Sequence, residues 1–205
     1  MQEQTKDNEG NAGAGKIAGT ADLESRVHEL ETVIGDLKGQ ISAIQGEDKV
    51  SIICFSGEWD KLFAALTLAS GSLAMGKEVH LFFTFWAVAA LRRKECLETT
   101  NKTRLQSMFN KMLPCGPTGA PLSKLHFGGL GKIMMRRVMK QKGIDDIDRL
   151  YSDVKELGGI IHLCDNTTEL FGLDCKELDT GENSSLCGVA TFLGHAFKSK
   201  MVLFI

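Results

Sequence analysis

Four short apolar runs recur along this chain: KVSIICFSG at 49–57, EVHLFFTFW at 78–86, IIHLC at 160–164 and MVLFI at 201–205. Each predicts a strand, and the first two are continuous enough in Val, Ile, Leu and Phe to predict strands buried on both faces. Between them lie stretches with helical spacing: 58–75, a short helix running to Arg93, an irregular then Met-rich helical region over 96–143, IDDIDRLYSDVKELGG before the third run, TTELFGL after it, and CGVATFLGHAFKSK before the fourth. Buried strands alternating with helices predict a mainly parallel sheet with helices on both faces, a three-layer α/β/α domain over 48–205. In such sheets reactive groups collect at the carboxyl ends of the strands. Cys164, Ser56-Gly57 and the Phe85-Trp86 corner all fall at such ends.

The first part of the chain follows another rule. Residues 1–21 are polar and rich in Gly and Ala, which predicts a disordered tail. Over 22–46, Leu23, Val27, Leu30, Ile34, Leu37, Ile41 and Ile44 alternate four and three apart. That is a heptad seam, with β-branched residues at a and mostly Leu at d, as in parallel helix pairs. Asp22 can cap such a helix and Gly46 can stop it, while Gly35 and Gly39 each weaken it by about 0.8–1 kcal/mol. The seam predicts either self-association into a homo-oligomer or packing on the chain's own domain.

Composition removes several function classes. A net charge of −2 and a single tyrosine argue against nucleic-acid binding. The amino-terminal segment has no apolar core of the kind a secretory signal needs. The run 79–91 is broken by His80 and Thr84 and is shorter than the roughly 18–20 residues that span a bilayer, so membrane contact is left open but not expected. The six cysteines, at 54, 96, 115, 164, 175 and 187, include no C-x-x-C pair. Reduced thiols in the cytoplasm are expected rather than a disulfide framework. With no H-x-x-H or H-E-x-x-H pattern, no metal site is expected, and no cofactor motif is present.

Cys164 carries the sharpest signal. It closes a buried strand, and Asp165, Asn166, Thr167 and Thr168 behind it are residues that start helices. A helix amino terminus lowers a thiol's pKa, so Cys164 is the expected thiolate nucleophile and the first target of limiting alkylation. The competing explanation is a small core residue. His162 would point to the same face as Cys164 and could accept its proton, although a satisfied, partly buried histidine fits equally. Cys54 reads as core. Cys115, in a Pro/Gly loop, could be a resolving thiol, and Cys187 is read as the start of a helix. The segment HFGGLGKIMMRR departs from the phosphate-loop pattern at positions 126 and 133, which leaves an anion nest near Lys132, Arg136 and Arg137 or a plain turn.

Four stretches, FSGEWDKLFAALTLASGSLAMGKEVHLFFTFWAV, MLPCGPTGAPLSKLHFGGLGKIMMRRVMKQKG, ELGGIIHLCDNTTELFG and MVLFI, together resemble the DsrE/DsrF-like sulfur-relay superfamily, in its longer branch often labelled predicted peroxiredoxin. The resemblance runs from about Lys49 to Ile205. It implies an oligomeric α/β/α domain, and a cysteine that takes up sulfane sulfur as a persulfide and hands it to a carrier such as a TusA-like protein. It places that cysteine at Cys164 with Gly172 eight residues on. Together with the local reading it makes His162, Asn166, Thr167 and Gly172 the expected residues around the site. It brings no cofactor. Relatives carry methionines after the cysteine where this chain has Asn166, Thr168 and Phe171, so sulfur source or partner can differ. The alternatives are a non-catalytic oligomeric assembly module with a structural Cys164, and a thiol peroxidase, for which no Thr/Arg activating pair is found near the cysteine.

Overall fold

A computed structural model describes residues 12–44, 47–93, 95 and 102–205, and the chain divides into two compact units, Met1–Gln45 and Gly46–Ile205. In the first, helix α1 spans Ala12–Ile44. It therefore starts ten residues before the expected cap at Asp22, through a stretch in which alanines at 12, 14, 18 and 21 favour helix. Residues 1–11 of the expected tail and the stop at Gly46 lie outside the described residues. Along the heptad seam, Leu23, Val27, Leu30, Ile34, Leu37 and Ile41 are 49–61% exposed.

The second unit runs β1 (Glu47–Cys54), α2 (Trp59–Ala74), β2 (Glu78–Phe83), α3 (Trp86–Ala90), α4 (Arg104–Met112), α5 (Leu130–Gln141), α6 (Ile147–Glu156), β3 (Ile160–Cys164), α7 (Asp165–Phe171), β4 (Ser184–Cys187), α8 (Val189–Ala196) and β5 (Ser199–Phe204). All neighbouring strands are parallel, in the order β4-β3-β2-β1-β5. The mainly parallel three-layer architecture expected from the apolar runs is what forms. β4 was not expected as a strand. Its four residues, SSLC, are polar or half-exposed and pair only with the edge of β3, so no apolar run marks them.

The topology decides where helices lie. β1 to β2, β2 to β3 and β3 to β4 all step toward one edge, whereas β4 to β5 returns across the sheet. Right-handed crossovers running in opposite directions put their helices on opposite faces. α2 and α6 accordingly pack together on one face, over Ile52, Leu81 and Ile161, each fully buried. Burial of each such side chain contributes about 1.5–3 kcal/mol. The other face carries Ser51, Ile53, His80, Phe82, His162, Cys164, Ser185 and Cys187, and α8 is laid over it. Phe192 of α8 stacks on Phe82 with ring centroids 4.6 Å apart.

Thr103 starts α4 with a reciprocal capping box to Gln106. Beside it, Lys102 meets Glu177 at 2.6 Å in an ion pair whose two side chains are 4% and 1% exposed. This pair fastens the segment entering α4 to the turn at Cys175–Glu177.

Candidate functional site

Cys164 is the last residue of β3 and the residue immediately before α7, with extended backbone at φ −68° and ψ 116°. The strand is apolar up to this point and Asp165 begins the helix, so the thiol stands at the carboxyl edge of the sheet, as expected. It is not open to solvent. Cys164 is 3% exposed and clusters with Phe82, Phe192, Ala196 and Cys187. Cys164 and Cys187 are register partners on β3 and β4, so two thiols lie side by side on one face. Burial raises the pKa of the Cys187 thiol, and the Asp165 carboxylate and Cys164 beside it add to the rise. The sequence hid this neighbour, because Cys187 reads as the start of a helix.

The other expected residues separate into different jobs. Thr167 is buried, and its Oγ1 accepts from the Phe85 N–H at 3.1 Å and lies 3.3 Å from Thr84 Oγ1. It ties α7 to the end of β2, where Phe85 holds φ +51°, a left-handed backbone uncommon for a bulky residue. Asn166 is exposed, and its N–H donates to Asp165 Oδ1 at 2.6 Å. Gly172 is at the far end of α7 with φ +61°, and a Cβ there would come within 2.8 Å of the Gln106 side chain. Its role is to stop the helix beneath Gln106.

His162 does share the face of Cys164, but its ring is committed elsewhere. Its Nδ1 lies 2.9 Å from Ser185 Oγ and its Nε2 lies 2.9 Å from His80 Nδ1. His80 in turn places Nε2 2.7 Å from Glu78 Oε1. Burial first, then the neighbouring His80 and His195, hold His162 down to about 4, and burial lowers His80 as well. A proton acceptor for Cys164 is therefore not what this geometry makes of His162. Instead His80, His162 and His195 bring one ring nitrogen each to within 4.8 Å of one another. Spacing along the chain could not announce this group, since its members come from β2, β3 and α8.

The remaining thiols are sorted by burial. Cys54 is 1% exposed and burial pushes its thiol up to about 12, as a core residue requires. Cys175 is exposed, and Cys115 is disulfide-bonded, which corrects both its expected role as a free resolving thiol and the expectation that every cysteine is reduced. Labelling with limiting iodoacetamide at neutral pH should therefore modify Cys175 first, not Cys164, because cover outweighs position. Cys54 should react only after unfolding, since a raised pKa keeps it a thiol and the core excludes the reagent. Peptide mapping over a time course reads the order. The Lys132 ammonium is engaged within the loop: its Nζ donates to Thr118 O at 2.8 Å and Ala120 O at 2.9 Å.

Among proteins of known sequence, residues 46–204 match the model of the DsrE/DsrF/DrsH-like family. The chain belongs to that family. It is 37% identical over 157 residues to "Uncharacterized protein YrkE" of Bacillus subtilis, across 77% of this chain and 96% of that protein. It is 31% identical over 163 residues to "Sulfur carrier protein DsrE2" of Allochromatium vinosum, across 78% of this chain and 99% of that protein. The DsrE/DsrF/DrsH-like match covers the sheet, Cys164 and Cys187, and leaves α1 outside. Among the described residues no helix is long and apolar enough to cross a membrane.

Proposed function

We propose that this chain is a sulfur-relay protein in which Cys164 carries sulfane sulfur as a persulfide and passes it to a partner, a sulfur carrier of the TusA-like kind. The observation that carries the reading is the thiol at the carboxyl edge of a parallel sheet, in a chain 31% identical to a named sulfur carrier over nearly that protein's whole length. In the first step the Cys164 thiolate attacks a sulfane sulfur of the donor. A new S–S bond forms, the donor's S–S bond breaks, and its electron pair leaves with the donor thiolate. In the second step the acceptor's thiolate attacks the outer sulfur, and Cys164 departs as the thiolate, ready for another round. No external oxidant or reductant enters the balance. Incubation with inorganic polysulfide, followed by intact-mass and peptide analysis, tests the reading. One added sulfur on the peptide containing residues 160–172 is the expected result.

Cys187 bears on how long the sulfur stays. Its thiolate could attack the inner sulfur, forming a Cys164–Cys187 disulfide and releasing hydrosulfide. The raised pKa of Cys187 keeps it protonated, which protects the persulfide. The sign is definite: its thiolate fraction grows only above the ordinary thiol range, so the persulfide's lifetime should shorten as pH climbs there. Cys187→Ser should remove that loss, as read by hydrosulfide release against pH. A pH profile identical in both proteins would show that Cys187 does not discharge the site.

α1 is assigned to self-association between copies of this chain. Six seam residues in heptad register are 49–61% exposed, an apolar stripe of the kind that pairs helices. Deleting residues 1–45 should leave a folded domain of lower particle mass in sedimentation, and an unchanged number of chains per particle would assign the seam another role.

A further inference from the structure

We propose that His80, His162 and His195 form a three-imidazole site for a divalent transition-metal ion of the zinc type, beneath α8 and separate from the sulfur-carrying thiol. Three nitrogens within 4.8 Å of one another need only small movements to reach the roughly 2.0–2.1 Å bond of a zinc–imidazole centre. Three histidines without a thiolate, leaving a fourth position open, suit zinc and its neighbours better than the hard ions magnesium and calcium.

The outer nitrogens are already arranged as a metal site arranges them. Glu78 Oε1 lies 2.7 Å from His80 Nε2 and can accept from it, which leaves Nδ1 as the lone pair turned inward. Ser185 Oγ lies 2.9 Å from His162 Nδ1 and can accept from it in the same way, turning His162 Nε2 inward. These two inward nitrogens stand 2.9 Å apart. Two bare lone pairs at that distance repel, so without an ion one proton sits between them, donated by His162 Nε2, and the Ser185 hydroxyl turns to donate to Nδ1. Metal uptake moves that proton from Nε2 to Nδ1, a change of tautomer with no net release, and turns the serine into the acceptor, a carboxylate- and hydroxyl-backed histidine shell. His195 closes the group from α8, its ring 4.4 Å from that of His80 and 5.3 Å from that of His162, centroid to centroid.

The position has a consequence within the fold. His195 and Phe192 lie three residues apart on α8, and Phe192 belongs to the cluster covering Cys164. An ion held by all three histidines ties the covering helix to β2 and β3.

The test uses untagged full-length protein with Cys164, Cys175 and Cys187 replaced by serine, titrated with cobalt(II) and then zinc(II). The expected result is binding of about one ion per chain, with a visible d–d spectrum and no near-ultraviolet thiolate charge-transfer band, displaced by zinc. His195→Ala, which changes a half-buried position on the surface helix, should abolish the spectrum while the far-ultraviolet circular dichroism stays the same. Glu78→Gln, outside the ligand set, should weaken binding about 10–100-fold. The proposal is overturned by absence of binding in the folded serine protein, or by binding that His195→Ala leaves intact.

Discussion

Cys164→Ser is expected to take up no sulfur at all from polysulfide, whereas Cys175→Ser should load as the unaltered chain does. The contrast is informative because, among the described free cysteines, Cys175 is exposed and Cys164 is buried. If sulfur uptake followed accessibility, Cys175→Ser would lose the adduct and Cys164→Ser would keep it. If uptake follows the site, a covered thiol loads and an open one does not. Serine is close to cysteine in shape and hydrogen-bonds locally, so the cluster with Phe82 and Phe192 should survive at a cost near 1–2 kcal/mol. Intact mass after gel filtration, with release of the adduct by cyanide, distinguishes a persulfide from an oxidised thiol. An adduct that persists in Cys164→Ser and disappears in Cys187→Ser would move the site one strand over and leave the relay itself standing.

Glu177→Ala should destabilise the domain by about 3–5 kcal/mol, the largest effect expected of any single charge removal here. The Lys102 ammonium and the Glu177 carboxylate are both shielded from water, 2.6 Å apart. Removing the acid leaves a buried cation without its counter-charge, which costs far more than loss of a surface pair. With a urea slope of about 2 kcal/mol per M, the midpoint should fall by roughly 1.5–2.5 M. Adding Lys102→Met to Glu177→Ala should recover much of the loss, because two well-packed neutral side chains tolerate the same burial. If the double variant is no more stable than the single one, the cost lies in the other interactions and packing of Glu177.

The strands that could be read from sequence are those whose chemistry is local. IIHLC is apolar and short, ends at the helix-starting Asp165, and forms β3 as expected. The same local logic found α2, β2 and β5. It failed at β4, where the residues SSLC are chosen by an edge position rather than by a core, and so carry no hydrophobic signal. Failure there concealed the Cys164–Cys187 pair, since a register contact between strands has no imprint in either strand alone. Thr167 and Gly172, expected beside the site, also have local structural work. They mark the start and the end of α7, and what they do is tie that helix to Phe85 and stop it under Gln106. The histidines are the extreme case, because an isolated His in a strand reads as nothing until three elements meet.

The cover over Cys164 also sets a clock. α8 has eight residues, too short to hold helical form by itself, and its hold on the sheet comes from Phe192 and Ala196 more than from its own backbone. Such a segment can open locally while the core between α2, α6 and the sheet stays intact. On the relay proposed above, every sulfur donor, small or large, would wait for the same opening. As donor concentration rises, the loading rate should level off at the opening rate, and that plateau should be the same for donors of very different intrinsic reactivity.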